Sequence, residues 1–144
     1  LHGHFVLPRT RFSLRVVRRI DPNEPLRPVD VGLTRDELAF ISAGLGQWGG
    51  PARAEPESAV IADFRGVAEM DEATERLRRS VANGGPLSRR DWRRVLVLTE
   101  LIFGSDTFGA GVEWETVTGR DEAIDLRLLR EVQRKLVAVC PRRR

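Results

Sequence analysis

Residues 88–103, SRRDWRRVLVLTELIF, are the segment that most restricts how this chain folds. At about 100° per residue, apolar side chains cover nearly the whole circumference of the helix that this segment predicts. Its two sides hold Trp92, Val95, Leu96, Ile102 and Phe103, and Val97, Leu98 and Leu101. A helix that is apolar nearly all round is stable only when other elements surround it. We therefore predict that this helix lies at the centre of the domain.

Three further helices are predicted by capping signals and by apolar residues at helical spacing. The first begins at Thr34, which matches a capping box with Glu37. The second begins near Asp71, and the last runs from about Asp121 to Val139. The predicted fold class is therefore mainly α, a compact bundle of about four helices that carries at most one short strand pair.

Residues 1–30 are predicted to precede a single helical domain, residues 31–144, which ends in a basic tail. Residues 12–17 alternate apolar and polar side chains, a pattern that favours an edge strand or, equally, a disordered basic leader. Three prolines in residues 21–30 predict a stiff linker. A second strand at residues 112–117 would complete a short pair with residues 12–17.

The charges of the chain are concentrated at its ends. The formal net charge is +3, yet residues 1–20 hold five arginines and no acid, and residues 142–144 are all arginine. The body between them is therefore acidic, which weakens the case for nucleic-acid binding. The single cysteine, Cys140, forms no intrachain disulfide, and no apolar run approaches the roughly 20 residues of a membrane helix. We expect a cytoplasmic protein without a membrane partner, and we expect the neighbouring arginines to lower the pKa of the Cys140 thiol.

Side chains that commonly carry catalysis are scarce. Histidine occurs only as His2 and His4, tyrosine is absent, and Lys135 is the only lysine. A Ser-His-Asp or Cys-His arrangement would need the amino-terminal tail to fold back into a cleft. Two histidines and one cysteine are also too few and too scattered for a zinc site. We therefore predict no catalytic residues and no metal, and we favour a binding role over an enzyme.

Residues 104–122, GSDTFGAGVEWETVTGRDE, connect the central helix to the last helix. Gly104 and Gly109 have the spacing of a phosphate-binding loop, but the lysine and hydroxyl residue of that motif do not follow. Gly109 and Gly111 begin a dinucleotide fingerprint, yet Trp114 stands at its third glycine. Neither motif is complete, so no nucleotide cofactor is predicted.

One acid in the last helix is predicted to point inward. Asp125 lies in the apolar stripe of Leu129, Val132 and Leu136. Because an unpaired buried carboxylate is strongly destabilising, Asp125 must bind a cation, accept hydrogen bonds, or lie just beyond the core. An ion pair within the chain and a bound ligand both satisfy this requirement.

The main hypothesis is a small non-catalytic binding or regulatory module that presents the 104–122 loop to a protein partner or a small ligand. Exposed aromatic residues are enriched in interface hot spots, and carboxylates near a helix start attract cations and amines. Alternatively, both aromatic residues of the loop fold back on the helical core. The predicted binding residues are Asp106, Phe108, Glu113, Trp114, Glu115, Glu122 and Asp125.

An alternative hypothesis is a DNA-binding regulator with a helix-turn-helix-like element at residues 71–103. Basic residues in the first turns of the central helix would meet phosphates and bases, although a solvated basic rim explains the same residues. A third hypothesis is a carboxylate-dependent metal enzyme, in which Asp106, Glu113 and Asp125 hold a hard cation such as magnesium. The nucleic-acid contacts of the alternative hypothesis are Arg89, Arg90, Arg93 and Arg94.

Overall fold

The computed structural model describes residues 26–140, and this part of the chain is mainly helical. It contains six α-helices and one two-stranded antiparallel sheet. In chain order the elements are β1 (Pro28–Val29), α1 (Arg35–Leu45), α2 (Pro56–Ile61), α3 (Val67–Ala82), β2 (Leu87–Ser88), α4 (Arg89–Gly104), a 3-10 turn (Gly111–Glu113), α5 (Trp114–Thr118) and α6 (Glu122–Val139). The predicted mainly α class with one strand pair is confirmed. Within residues 26–140, no helix combines the length and the apolarity needed to cross a membrane.

The four predicted helices correspond to α1, α3, α4 and α6. Helix α3 begins at Val67, four residues before the predicted start near Asp71. Helices α2 and α5 were not predicted, because six and five residues are too few for a recognisable amphipathic repeat.

The strand pair lies elsewhere than predicted. Pro28 pairs with Ser88 and Val29 with Leu87 in β1 and β2, so residues of the predicted linker belong to the folded domain. The prediction of a strand at residues 112–117 is wrong, and its expected partner, residues 12–17, lies outside the described residues. The segment winds into the 3-10 turn and α5 because helical spacing brings Trp114 and Val117 to one inward side, where Trp114 is buried and Val117 half-buried.

Helix α4 occupies the centre of the domain, as predicted. It lies against α1, α3, α6 and β2. Its flank with Leu96, Val97 and Leu101 is only half-buried, so burial does not extend all the way round. The buried apolar residues of α4 are Trp92, Val95, Leu98, Ile102 and Phe103.

Helix α1 is tied to α6 through its own capping box. The Thr34 hydroxyl accepts a hydrogen bond from the Glu37 amide at 3.2 Å, and Glu37 Oε2 accepts one from the Thr34 amide at 2.9 Å. Lys135 Nζ donates to both carboxylate oxygens of the buried Glu37, at 2.9 and 2.7 Å. The only lysine of the chain thus compensates a buried negative charge and joins the two helices.

Candidate functional site

The first half of the 104–122 loop folds back on the carboxyl end of α4. The Ala110 amide donates to the Ile102 carbonyl at 2.8 Å, and the Gly109 amide donates to the Ser105 carbonyl at 2.9 Å. A Cβ atom at Gly109 would lie 2.2 Å from the Leu101 carbonyl oxygen. Glycine is required there because the backbone of the loop presses directly on the backbone of the helix.

Asp106 and Gly111 hold the next turn of the loop. Asp106 Oδ1 accepts a hydrogen bond from the Val112 amide at 2.8 Å. Gly111 has a φ of +47°, and a Cβ atom there would lie 1.8 Å from the same Asp106 oxygen. The Asp106 carboxylate therefore has a structural role in the loop, and Gly109 and Gly111 allow close packing against α4 and against Asp106.

Trp114 is part of the core, with no exposed surface. Its ring meets Phe103 and Phe40 edge-on, with centroids 5.1 and 5.8 Å apart. A residue with this burial presents no surface to a partner in this structure, and its position fits the alternative expectation that the aromatic residue folds back on the helical core. Its large apolar ring is more stable among other aromatic rings than in water. Phe108, the other predicted aromatic contact, is half-buried.

Asp125 points inward as predicted, and an arginine of the same chain neutralises it. The side chain is 1% exposed. Arg120 Nε donates to Oδ2 and Arg120 Nη2 to Oδ1, both at 2.8 Å. Trp114 Nε1 donates to Oδ2, also at 2.8 Å. The hydrogen bonds to Asp125 raise the pKa of Arg120 above its already high ordinary value. Together with the bond from Trp114, they leave Asp125 unavailable to a ligand, which corrects its assignment as a binding residue.

The remaining predicted acids of the loop lie at the surface. Glu115 Oε1 accepts a hydrogen bond from the Glu122 amide at 2.9 Å, which links α5 to the start of α6. Glu113 is exposed. Residues 26–140 contain no group of three or more His, Cys, Asp or Glu side chains that could hold a metal ion. The predicted metal set of Asp106, Glu113 and Asp125 is therefore not assembled, since Asp125 is buried against Arg120.

The arginines at the start of α4 form hydrogen bonds with other segments of the domain. Arg94 is 7% exposed, donates to the Asp63 carbonyl oxygen at 2.7 and 3.1 Å, and lies 4.3 Å over the Phe64 ring. Arg90 Nε donates to Asp63 Oδ2 at 3.0 Å, and Arg89 Nε donates to the Val139 carbonyl at 2.9 Å. The Arg94 guanidinium is largely buried and already bonded within the chain, so Arg94 lacks the exposed position that the DNA-binding hypothesis expects of it.

Two features of this arginine cluster were missed in the sequence. Asp63, which receives both Arg90 and Arg94, has a φ of +65°, uncommon for a residue with a side chain. Arg93, the fourth predicted nucleic-acid contact, also interacts within the chain. No local pattern connects Asp63 with arginines about 30 positions later, so only the folded chain reveals the contact.

Cys140 is buried at the end of α6, and its thiol lies 3.5 Å from the Arg89 carbonyl. Burial raises the pKa of the thiol, and this effect exceeds the opposite influence of Arg93 and Arg89. The predicted lowering of this pKa is therefore wrong, because withdrawal from water disfavours the thiolate more than the two arginines stabilise it.

Slow alkylation of Cys140 is expected as a result. At pH 8, iodoacetamide should react with the folded protein about tenfold or more slowly than with the same protein unfolded in urea, since only the exposed thiolate is the nucleophile. Mass spectrometry of timed samples measures both rates, with free cysteine in urea and in buffer as the reagent control. Equal rates in the folded and unfolded protein would contradict the buried position.

The loop also exposes an apolar side chain that was not predicted as a contact. Val112 is 79% exposed, at the point where Asp106 fixes its backbone. The exposed acids of the same segment are Asp106, Glu113, Glu115, Asp121 and Glu122, called the acidic rim below. The signal in the sequence was an aliphatic residue followed by Glu113 and Glu115, which the strand prediction for residues 112–117 obscured.

Comparison of this chain with protein-family models, with curated proteins and with solved structures finds no match in any of the three.

Proposed function

We propose that the protein is a non-catalytic binding module, and that the 104–122 loop holds a protein partner through a segment that combines basic and apolar side chains. The single observation that carries this proposal is Val112, which is 79% exposed on a loop whose backbone is fixed. Covering an exposed apolar side chain with a partner removes it from water and so lowers the free energy.

The loop is arranged before any partner arrives. Its backbone is held by hydrogen bonds to Ile102, Ser105 and Asp106. Trp114 anchors the segment that follows in the aromatic cluster of the core. Because little conformational freedom remains to be lost, binding to such a loop has a small entropic cost.

The charge of the loop supports a basic partner. The ion pairs within residues 26–140 include none of the five acids of the acidic rim. The nearby Arg120 is committed to Asp125. Carboxylates without an ion pair, on the same segment as an exposed apolar side chain, favour a partner segment in which arginine or lysine flanks an aliphatic residue, and they accelerate its association.

Fluorescence anisotropy with a labelled peptide of alternating arginine and leucine tests this proposal. Val112→Ser should weaken binding about tenfold, because a buried aliphatic contact contributes about 1.5 kcal/mol. Val60→Ser is the matched control, since Val60 is 72% exposed on α2 and should leave the affinity unchanged.

The charge is tested separately with Glu113→Lys, with Glu57→Lys on α2 as the matched exposed control. The first substitution should weaken binding more than the second, and the difference should shrink in high salt. Equal effects of Val112→Ser and Val60→Ser, or of the two lysine substitutions, would reject the loop as the binding surface.

A further inference from the structure

A cleft separate from the 104–122 loop lies between the segment that follows β1 and the turn before β2. Its volume is about 310 Å³. The walls come from residues 28–33 on one side and residues 84–86 on the other, with Leu38 of α1 and Trp92 of α4 between them. The size is at the lower end of the range typical of small-ligand sites, roughly 300–1,000 Å³.

The lining of the cleft is mostly apolar and only partly covered. Val29, Val31, Leu33 and Leu38 are half-buried, although each belongs to a side-chain type that is usually buried in full. They pack against the core below and face the cleft above. An apolar ligand of modest size would complete their burial.

The backbone of the same segment offers unused hydrogen-bonding groups. The hydrogen bonds of residues 26–140 include neither the N–H nor the C=O group of Val31 or Leu33. These two donors and two acceptors flank Gly32, whose φ of +67° makes this wall a turn, and they are available to the amide groups of a ligand.

Charges of opposite sign lie at two places along this surface. Asp30 lines the cleft, and its Oδ1 accepts a hydrogen bond from the Gly32 amide at 2.9 Å. Arg35 lines an adjoining groove that shares Leu38 and Gly84 with the cleft, and it forms no ion pair within residues 26–140. A ligand that carries both a cationic and an anionic end is therefore complementary to this surface.

We propose that this cleft binds a short apolar peptide, with its amino group towards Asp30 and its carboxylate towards Arg35. The peptide backbone exchanges hydrogen bonds with Val31 and Leu33, and its aliphatic side chains cover Leu33 and Leu38. The site is independent of Val112 and of the acidic rim, so either proposal can fail alone.

Amide NMR of the full chain, titrated with the tripeptide Ala-Val-Leu, tests the cleft. Saturable shifts are expected at Val31, Leu33 and Gly84. Amidation of the peptide carboxylate should weaken binding about fivefold or more, as should Arg35→Gln with the unmodified peptide. Once either group is removed, removing the other should have little further effect, since the two act as one pair.

Two controls distinguish binding at this site from non-specific binding. Arg53→Gln removes an exposed arginine elsewhere and should leave the affinity unchanged. Asp30→Asn keeps an oxygen for the Gly32 amide, and it should weaken binding of the free peptide but not of the N-acetylated peptide. The proposal is overturned if shifts do not saturate, if they occur elsewhere, or if amidation weakens binding equally in the protein with Arg35→Gln.

Discussion

Replacement of Trp114 with alanine is expected to lower the free energy of unfolding by about 3–5 kcal/mol, the range for removal of a buried aromatic side chain. The ring is fully buried and edge-on to Phe40 and Phe103. Its removal leaves a cavity and also withdraws the Nε1 hydrogen bond from Asp125. Urea unfolding followed by circular dichroism gives the difference in free energy, and the midpoint of thermal unfolding should fall by about 10–20 °C.

Two further variants keep this prediction interpretable. Trp48→Ala removes a half-buried tryptophan after α1 whose Nε1 has no hydrogen-bond partner within residues 26–140, and it should cost about 1–2 kcal/mol. Trp114→Phe retains a ring and should fold even if Trp114→Ala does not. If Trp114→Ala were no more destabilising than Trp48→Ala, the tryptophan would not be a core residue.

The helices could be predicted because their signals are local. The capping box of Thr34 and Glu37, and the all-round apolar pattern of residues 88–103, are both contained within a few turns of one element. Such patterns are produced by the geometry of the helix itself, whatever it packs against. The same reasoning placed Asp125 on the inward side of α6, and its burial confirms that placement.

The environment of the loop side chains could not be predicted in the same way. Trp114 satisfies the criteria for an exposed anchor and for a buried core residue equally well, because both use a large amphipathic ring. Its burial depends on Phe40, more than 70 residues earlier, and on Phe103. Similarly, Arg94 is inward because the Asp63 carbonyl lies over the start of α4, a relation between distant segments.

The glycines of the loop illustrate a third case. Their spacing suggested phosphate binding, and the motif was rejected because its lysine is missing. What the residues do instead depends on how closely two backbones approach. Gly109 lies against the end of α4, and Gly111 adopts a left-handed conformation beside Asp106. Apart from the glycine itself, the sequence contains no signal of either requirement.

Replacement of Arg120 with methionine is expected to lower the free energy of unfolding by about 3 kcal/mol, because it leaves the Asp125 carboxylate buried without its cation. Methionine retains much of the length of the side chain, so the loss reports the charge more than the packing. The control is Arg130→Met, which removes an exposed arginine from α6 and should change stability by about 0.5 kcal/mol or less.

A double variant tests whether the unpaired charge of Asp125 causes the loss of stability. In Arg120→Met with Asp125→Asn, the neutral amide still accepts from Trp114 Nε1, and about half of the lost stability should return. No recovery would mean that Arg120 acts through packing alone. Because the pair joins the segment after α5 to α6, Arg120→Met should also loosen the backbone near Glu115 and Glu122 in hydrogen exchange. The Asp106–Val112 hydrogen bond lies before α5 and does not involve Arg120 or Asp125, so the amide of Val112 should stay protected from exchange. That result would mean that the proposed binding loop depends on Asp106 for its shape.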